Sequence, residues 1–182
     1  MITYQEALSI IAANTQAMEI ESIVPVCGRV CATPVTSPVD LPGFANSAMD
    51  GFAVIAADGA SGTSQLDVLG TITAGMSAPT GTAQTGTAWE IMTGAPVPDG
   101  YDAVIPLEKT TRCNDTVELQ ASPLPGANIR NPGEDFDMGM QAMNIGTAVT
   151  PEIIMGLAAL GIDQISAYQQ PKVSIITTGN EI

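Results

Sequence analysis

Apolar residues recur at helical spacing in two segments of the chain. Near the N-terminus the apolar positions are 7, 8, 10 and 11, and Thr3 with Glu6 has the spacing of a capping box. The second segment starts at Thr150, continues with Pro151 and stays apolar as far as Leu160, before a glycine. Because these are the usual start and stop signals of helices, we predict helices over residues 4–14 and 151–160.

Between residues 46 and 124 the pattern changes to short apolar runs, which are separated by Gly, Thr, Pro and Asp. Such runs predict strands. The predicted strands cover residues 52–55, 66–72, 88–92, 103–107 and 116–119. Short strands at regular spacing are typical of a small barrel or sandwich. The four prolines within residues 20–44 predict an extended segment before this region.

The last apolar run, residues 172–182, is continuous and ends in Thr-Thr-Gly-Asn-Glu. A continuous run suits a parallel strand that is buried on both faces. Its polar end would then lie at the carboxyl edge of an open α/β sheet, where such sheets bind ligands. A lone parallel strand has no neighbour to pair with. We therefore expect a truncated chain that ends at the first strand of an α/β domain.

Composition narrows the class of protein. The 182 residues are 45% hydrophobic but only 4% aromatic, which predicts one or two domains with an aliphatic, methionine-rich core. The formal net charge is −14, with five basic residues and no histidine. Nucleic-acid binding and attachment to an anionic membrane both need clusters of Lys and Arg, so neither is expected.

Three cysteines and the chain termini bear on the compartment. Cys27, Cys31 and Cys113 are odd in number, and no histidine is present to complete a zinc site, so we expect reduced thiols. The N-terminus has no basic, apolar signal sequence, and the longest apolar stretch is too short to span a membrane. These features predict a cytoplasmic protein.

The pair Asp50-Gly51 interrupts the pattern just before the first predicted strand. Asp-Gly favours a tight turn, because glycine tolerates positive φ and aspartate can bond its own backbone. A carboxylate on such a turn would lie at the rim of a sheet and could face a ligand. An ordinary structural hairpin turn is the alternative.

Four segments place a carboxylate or hydroxyl on a glycine-bearing turn beside a strand. They are residues 46–54 with Ser47 and Asp50, 91–100 with Thr93 and Gly94, 128–135 with Arg130 and Asp135, and 178–181 with Glu181. Their order and spacing resemble the molybdopterin molybdenumtransferase family, the MoeA and gephyrin E-domain proteins. The resemblance extends over the whole chain, which is similar to the N-terminal half of a typical member.

The resemblance implies an α+β, mostly β fold. Residues 1–45 and 125–171 would form an elongated mixed domain, and residues 46–124 an inserted small β-domain that is barrel- or sandwich-like. Residues 172–182 would begin a truncated α/β, Rossmann-like pterin-binding domain. An elongated domain buries little core by itself, and the resemblance implies a homodimer.

The resemblance also implies an activity in molybdenum cofactor biosynthesis: insertion of molybdate into adenylylated molybdopterin with release of AMP. Molybdopterin adenylyltransferase would be the partner that supplies the substrate, and the fragment alone would be inactive. Two alternatives stay open, a non-catalytic scaffold on the same fold and a paralogue that uses tungstate.

The site implied by the resemblance has Asp50, Thr93, Asp135 and Glu181 as catalytic residues and Ser47, Gly94 and Arg130 as cofactor contacts. Bare carboxylates repel a polyanion, so we expect Mg²⁺ between Asp50, Asp135, Glu181 and the phosphates. Each residue has a structural alternative. The aspartates would be solvated turn residues, Thr93 a strand-end hydroxyl, Glu181 a first-turn helix acid and Arg130 a brace for the turn at Glu134.

Overall fold

The computed structural model describes residues 2–60 and 65–177, and the chain divides into two compact units. Unit 1 combines Met1–Ser37 with Gly139–Ile182, and unit 2 is Pro38–Met138. The domain limits and the elongated shape given above stay predictions. Glu181 lies outside the described residues.

The described residues contain three α-helices, thirteen short strands and one 3-10 helix, Leu107–Lys109. The helices are α1 (Tyr4–Asn14), α2 (Ala56–Ala60) and α3 (Pro151–Ala159). The strands are β1 (Ile20–Ile23), β2 (Val30–Cys31), β3 (Val35–Thr36), β4 (Asn46–Ser47), β5 (Gly51–Val54), β6 (Gln65–Ile72), β7 (Thr87–Ile91), β8 (Ala103–Pro106), β9 (Thr110–Cys113), β10 (Thr116–Leu119), β11 (Ile129–Arg130), β12 (Gln141–Met143) and β13 (Ile165–Tyr168). None of the helices in this part of the chain is long and apolar enough to cross a membrane.

Helix α1 begins with the predicted capping box. The Glu6 amide donates to the Thr3 hydroxyl at 3.2 Å, and the Thr3 amide donates to Glu6 Oε2 at 2.7 Å. The Thr3 amide first, and the Thr3 hydroxyl second, which donates to the same Oε2 at 3.0 Å, favour the carboxylate form and hold the pKa of Glu6 below its ordinary value. The prediction for this helix is confirmed, including its last residue.

Helix α3 is also confirmed, to within one residue at its end. The Ile153 amide donates to the Thr150 hydroxyl at 3.4 Å, and Pro151 occupies the first turn. After the helix, Gly161 has a φ of +72° and its amide donates to Ala158 at 3.0 Å. The Ile162 amide donates to the Leu157 carbonyl at 2.9 Å, which completes a Schellman motif.

Unit 1 contains two small antiparallel sheets. Strand β13 lies between β1 and β2, with Ile165 opposite Ile23 and Ala167 opposite Cys31, and β12 pairs with β3. Leu157 of α3 packs into the buried cluster that these strands cover. The other buried members of the cluster are Cys31, Met143, Val149 and Ile165.

Unit 2 is built on a six-stranded sheet in the order β8-β5-β7-β6-β10-β9, with β6 and β7 parallel and the other neighbours antiparallel. All four residues of β5 are buried. Phe52 and Val54 lie in one apolar cluster and Ala53 in another, so both faces of β5 are covered. The five strands predicted for this region are confirmed to within one residue at each end.

The six-stranded sheet curls. Arg112 on β9 forms an ion pair with Glu90 on β7 at 2.5 Å, although β10 and β6 lie between these strands. In a flat sheet three strand spacings would separate their backbones by about 14 Å. The curled sheet and the strand content confirm the predicted mostly β, barrel-like fold.

The strand predicted over residues 172–182 is not formed in its described part, residues 172–177. Residues 171–177 have no helix or strand, and Val173, Ile175 and Ile176 are 80%, 89% and 82% exposed. A strand is stable only where a neighbour accepts its hydrogen bonds and covers its apolar faces. The sequence pattern shows that the residues are apolar, but it does not show whether a neighbouring strand is present to pair with them.

The prediction of a methionine-rich core is also wrong. Within the described residues, Met143 is the one methionine among the buried apolar side chains. Larger exposed fractions belong to Met18, Met49, Met76, Met138, Met140 and Met155. The core is aliphatic, as expected, with Phe52 and Tyr101 as its buried aromatic members.

Gly51 begins strand β5 rather than forming a tight turn, and its φ is not positive. The tight Asp-Gly turn and its alternative, an ordinary hairpin turn, are therefore wrong, whereas the predicted place of Asp50 at the rim of the sheet is confirmed. The glycine is required by close packing instead. A Cβ atom on Gly51 would lie 2.0 Å from the backbone oxygen of Ile105 on β8.

Substitution Gly51→Ala should destabilise unit 2, because β5 and β8 would have to separate. We expect a loss of about 1–3 kcal/mol in the free energy of unfolding, measured by urea denaturation with fluorescence of the single tryptophan, Trp89. Gly43→Ala is the matched control, since its Cβ would meet only Asp40 O, at 3.8 Å. Equal stabilities of the two variants would contradict the close-packing explanation.

Candidate functional site

Asp50 lies at the exposed end of the short loop between β4 and β5. Its backbone carbonyl accepts a hydrogen bond from the Leu107 amide at 3.1 Å. Leu107 directly follows β8, which is the strand that pairs with β5. The backbone of Asp50 is therefore fixed to the sheet, while its side chain reaches solvent.

Thr93 holds the side chain of Asp50. The Thr93 amide donates to Asp50 Oδ1 at 2.7 Å, and the Thr93 hydroxyl donates to the same oxygen at 2.8 Å. The backbone bond first, and the hydroxyl bond second, hold the pKa of Asp50 below its ordinary value. Like other exposed aspartates, Asp50 is ionised at neutral pH, and both of these Thr93 donors are directed at its carboxylate.

Ser47 and Gly94 meet through their backbones. The Gly94 amide donates to the Ser47 carbonyl at 2.8 Å, and the Ser47 amide donates to the Ala95 carbonyl at 3.0 Å. The buried Ser47 hydroxyl donates to the Met49 carbonyl at 2.6 Å and accepts from the Met49 amide at 3.3 Å. These contacts shape the loop that carries Asp50 and join it to the turn that carries Thr93.

Arg130 and Asp135 form a second group. Arg130 Nη2 donates to Asp135 Oδ1 at 2.6 Å, and Arg130 Nε lies 3.6 Å from Glu134 Oε1. The bond to Asp135 is the main reason why the pKa of Arg130 is above its ordinary value. Glu134 also accepts from the Asn131 amide at 3.0 Å. In this geometry Arg130 braces the turn, which is one of the two roles proposed from the sequence.

The ladder between β4 and β11 links the two groups. Ser47 is opposite Ile129 and Asn46 is opposite Arg130, although more than eighty positions separate them in the sequence. Asp50–Thr93, Ser47–Gly94 and Arg130–Asp135 are therefore three contacting pairs arranged around one short strand pair. Their assignment as catalytic and cofactor-binding residues stays a prediction.

The predicted metal site is not assembled by the described residues alone. Among residues 2–60 and 65–177, no group of three or more Asp, Glu or Cys side chains is placed to hold a metal ion. Asp50 fits the donor type for a hard cation, because it is ionised and exposed. Asp135 has its Oδ1 on Arg130, and the third predicted ligand, Glu181, is not among the described residues.

The sequence reasoning missed the residues that support this site from behind. Leu107 contributes a backbone amide, which carries no side-chain signal. Asn128 lies in one of the four glycine-bearing segments but carries neither the carboxylate nor the hydroxyl that marks a candidate site residue. Its φ of +56° is left-handed, a conformation in which asparagine is enriched among non-glycine residues. An asparagine that follows Gly126-Ala127 was therefore the available sequence signal for a left-handed turn residue.

Comparison with known proteins identifies the family. A family model described as the MoeA N-terminal region (domain I and II) matches residues 2–161. The chain belongs to the MoeA family. MoeA relatives include molybdopterin molybdenumtransferase 2 of Mycobacterium tuberculosis (strain CDC 1551 / Oshkosh), which is 41% identical over 159 residues. The molybdopterin molybdenumtransferase of Synechococcus elongatus is 31% identical over 191 aligned positions.

The MoeA fold is shared with a solved structure. The molybdopterin biosynthesis MoeA protein of Pyrococcus horikoshii superposes on this chain with a TM-score of 0.84 at 29% sequence identity. The superposed region covers 94% of this chain and 47% of the Pyrococcus chain. The chain covers 39% of the Mycobacterium relative and 47% of the Synechococcus relative, while 85% and 100% of the chain itself are aligned. It therefore spans less than half the length of these MoeA relatives.

Removal of the Thr93 hydroxyl should raise the pKa of Asp50 toward its ordinary value. In Thr93→Val the backbone donor remains, so we expect a partial rise, whereas Thr93→Ser keeps both donors and should leave the pKa unchanged. A carboxyl-detected NMR titration measures both. Identical Asp50 titrations in wild type and Thr93→Val would contradict a role of the hydroxyl.

The sign of the pH dependence follows from the lowered pKa. Because folding favours the ionised form, the Asp50 bonds stabilise the folded chain above the unfolded pKa of about 3.9. This stabilisation is lost as the pH falls through the lower folded-state pKa. Thr93→Val should therefore lose less stability than wild type over that acidic interval.

Proposed function

We propose that this chain is part of an enzyme of molybdenum cofactor biosynthesis, which inserts molybdate into adenylylated molybdopterin and releases AMP. The observation that carries the proposal is the ionised, exposed Asp50, held by Thr93 at a sheet rim within the region that the family model matches. The relatives are named molybdopterin molybdenumtransferases, and these names supply the reaction class. The 182-residue chain alone is proposed to be inactive.

Asp50 is the group that acts on the substrate in this proposal. A polyanion cannot bind directly to an ionised carboxylate, so Asp50 would contact a cation or a hydrogen-bond donor of the substrate. Thr93 lowers the pKa of the carboxylate and fixes its orientation. Ser47 and Gly94 hold the two loops together, and Arg130 with Asp135 stabilises the neighbouring turn.

The proposed cation is Mg²⁺. It commonly binds one or two carboxylates together with substrate phosphates and water, so Asp50 suits it as one ligand, with Asp135 and Glu181 as the further predicted ligands. Bound there, Mg²⁺ would supply charge neutralisation and Lewis-acid polarisation of the phosphoanhydride. The Thr93 amide and hydroxyl would hold the Asp50 carboxylate in a fixed orientation.

We also propose the remaining context of the reaction. Molybdopterin adenylyltransferase would provide the adenylylated pterin, and the enzyme would work in the cytoplasm. The three cysteines support a reducing compartment, since Cys27, Cys31 and Cys113 are free thiols in the structure. The two compact units support a mixed domain with an inserted β-domain.

Asp50→Asn should abolish the activity because it removes the negative charge but keeps the shape. We propose a chimaera in which residues 2–161 replace the matching region of the Synechococcus relative, with AMP release from adenylylated molybdopterin as the measurement. The wild-type chimaera should release AMP when molybdate is added. Asp50→Asn should lower kcat at least about a hundredfold, as expected when an electrostatic group acting on the transition state is removed.

Asp99→Asn is the matched control, because Asp99 is another exposed aspartate of unit 2 on a glycine turn. It should keep wild-type activity. EDTA should stop the reaction and Mg²⁺ restore it, and parallel reactions with tungstate test the choice of oxyanion. Unchanged cofactor synthesis in Asp50→Asn would favour the scaffold alternative, and a wild-type chimaera without AMP release would overturn the proposal.

The homodimer is a separate proposal, supported by helix α1. The helix has no buried residue, and its apolar side chains Tyr4, Leu8 and Ile11 lie on one face with exposed fractions of 76%, 46% and 62%. A contiguous exposed apolar face of this kind marks an interaction surface. We propose a second copy of the chain as its partner.

Leu8→Glu should convert the dimer to a monomer, because it places a charge in the centre of the α1 face. Sedimentation velocity at tens of micromolar chain measures the change. Ser9→Glu adds the same charge to the opposite side of the helix and should leave the dimer intact. A monomeric wild type, or a Leu8→Glu variant that sediments like wild type, would refute the dimer proposal.

A further inference from the structure

We infer that Asn128 is a positioning residue for Asp50, so that its side-chain amide sets the geometry of a carboxylate that it does not touch. This inference rests on the proposed function only for its kinetic consequence. Asn128 lies just before β11 and connects two parts of unit 2, the sheet strand β8 and the loop that carries Asp50.

The first connection runs to β8. Asn128 Nδ2 donates to the Val104 carbonyl at 2.8 Å, and the Val104 amide donates to Ala127 O at 2.9 Å. Val104 is almost completely buried in the sheet. Residues 127 and 128 are therefore anchored to a rigid strand through both polar groups of the Val104 backbone.

The second connection runs to the Asp50 loop. The Ala48 amide donates to the Asn128 carbonyl at 2.9 Å, one residue beyond the point where Ser47 pairs with Ile129. At the other end of the loop, the Asp50 carbonyl accepts from Leu107, which directly follows β8. Both ends of the segment 48–50 are thus hydrogen-bonded to residues that β8 positions. The Ala48 end is held through Asn128.

Asparagine suits both demands at this position. The φ of +56° is left-handed, which excludes β-branched and bulky residues. The contact with Val104 needs a short side chain that donates a hydrogen bond to a carbonyl. Aspartate tolerates the backbone but has no donor when ionised, and glycine tolerates the backbone but has no side chain. Because both replacements keep the left-handed backbone and lose the donor, they test the amide requirement alone.

The test uses Asn128→Asp and Asn128→Gly in the 182-residue chain. Amide hydrogen exchange of Ala48 and Thr93 should accelerate at least about tenfold, because a loop that loses its anchor opens locally. Exchange of Phe52 and Val117, which lie in the sheet core, should stay as in wild type. The control is Asn114→Asp, at the other asparagine with left-handed φ (+54°), which should change neither pair.

Two exchange results would overturn the inference. One is unchanged protection of Ala48 and Thr93 in the folded variants. The other is an equal loss of protection in the sheet core, which would show a general loss of stability. If Asn128→Asp does not fold, Asn128→Gly decides, because it introduces no charge and no strain.

The kinetic arm uses the same chimaera as above. Asn128→Asp should lower kcat by about ten- to a hundredfold with little change in KM, as expected for a misplaced catalytic group. Equal kcat values in wild type and variant would overturn the positioning role. An inactive wild-type chimaera would instead count against the proposed function, while the exchange experiment still decides the role of Asn128.

Discussion

The short ladder between β4 and β11 is the constraint on which the site depends. Two residues on each strand bring Ser47 opposite Ile129 and Asn46 opposite Arg130. Every pair in the site is attached to this ladder. The Thr93–Gly94 turn bonds to Ser47, the Asp50 loop starts from it, and the Arg130–Asp135 turn leaves from its other strand. A ladder of only two residue pairs needs further support, which the buried Ser47 side chain and the anchored Asn128 provide.

The parts of the fold that depend on local chemistry could be predicted from the sequence. Helices α1 and α3 begin at Thr3 and Thr150, whose hydroxyls satisfy amides a few residues away. The core strands of unit 2 show apolar runs between turn residues. Strand β9 was missed because its residues are polar and its partner β10 is supplied by tertiary structure. Residues 172–177 have the composition of a strand, but composition cannot report a neighbour.

The sequence indicated which of the candidate residues approach one another, while their roles stay predictions. The glycine-bearing turns indicated Asp50, Thr93, Arg130 and Asp135, and the structure places them in hydrogen-bonded or ion-paired contacts. The direction of those contacts was not predictable, because a hydroxyl near a carboxylate can also face a ligand. Gly51 shows the same limit. The Asp-Gly pair indicated a turn, whereas the glycine is required by the backbone of β8 at Ile105.

Electrostatics decides what such a site can bind. The chain carries a net charge of −14, and its three described arginines each form an ion pair, Arg29 with Glu21, Arg112 with Glu90 and Arg130 with Asp135. A phosphate that approached Asp50 would meet an ionised carboxylate and would be repelled unless a cation neutralised that charge. The two hydrogen bonds from Thr93 fix the orientation of this carboxylate and lower its pKa further, so the negative charge at the sheet rim persists into more acidic conditions.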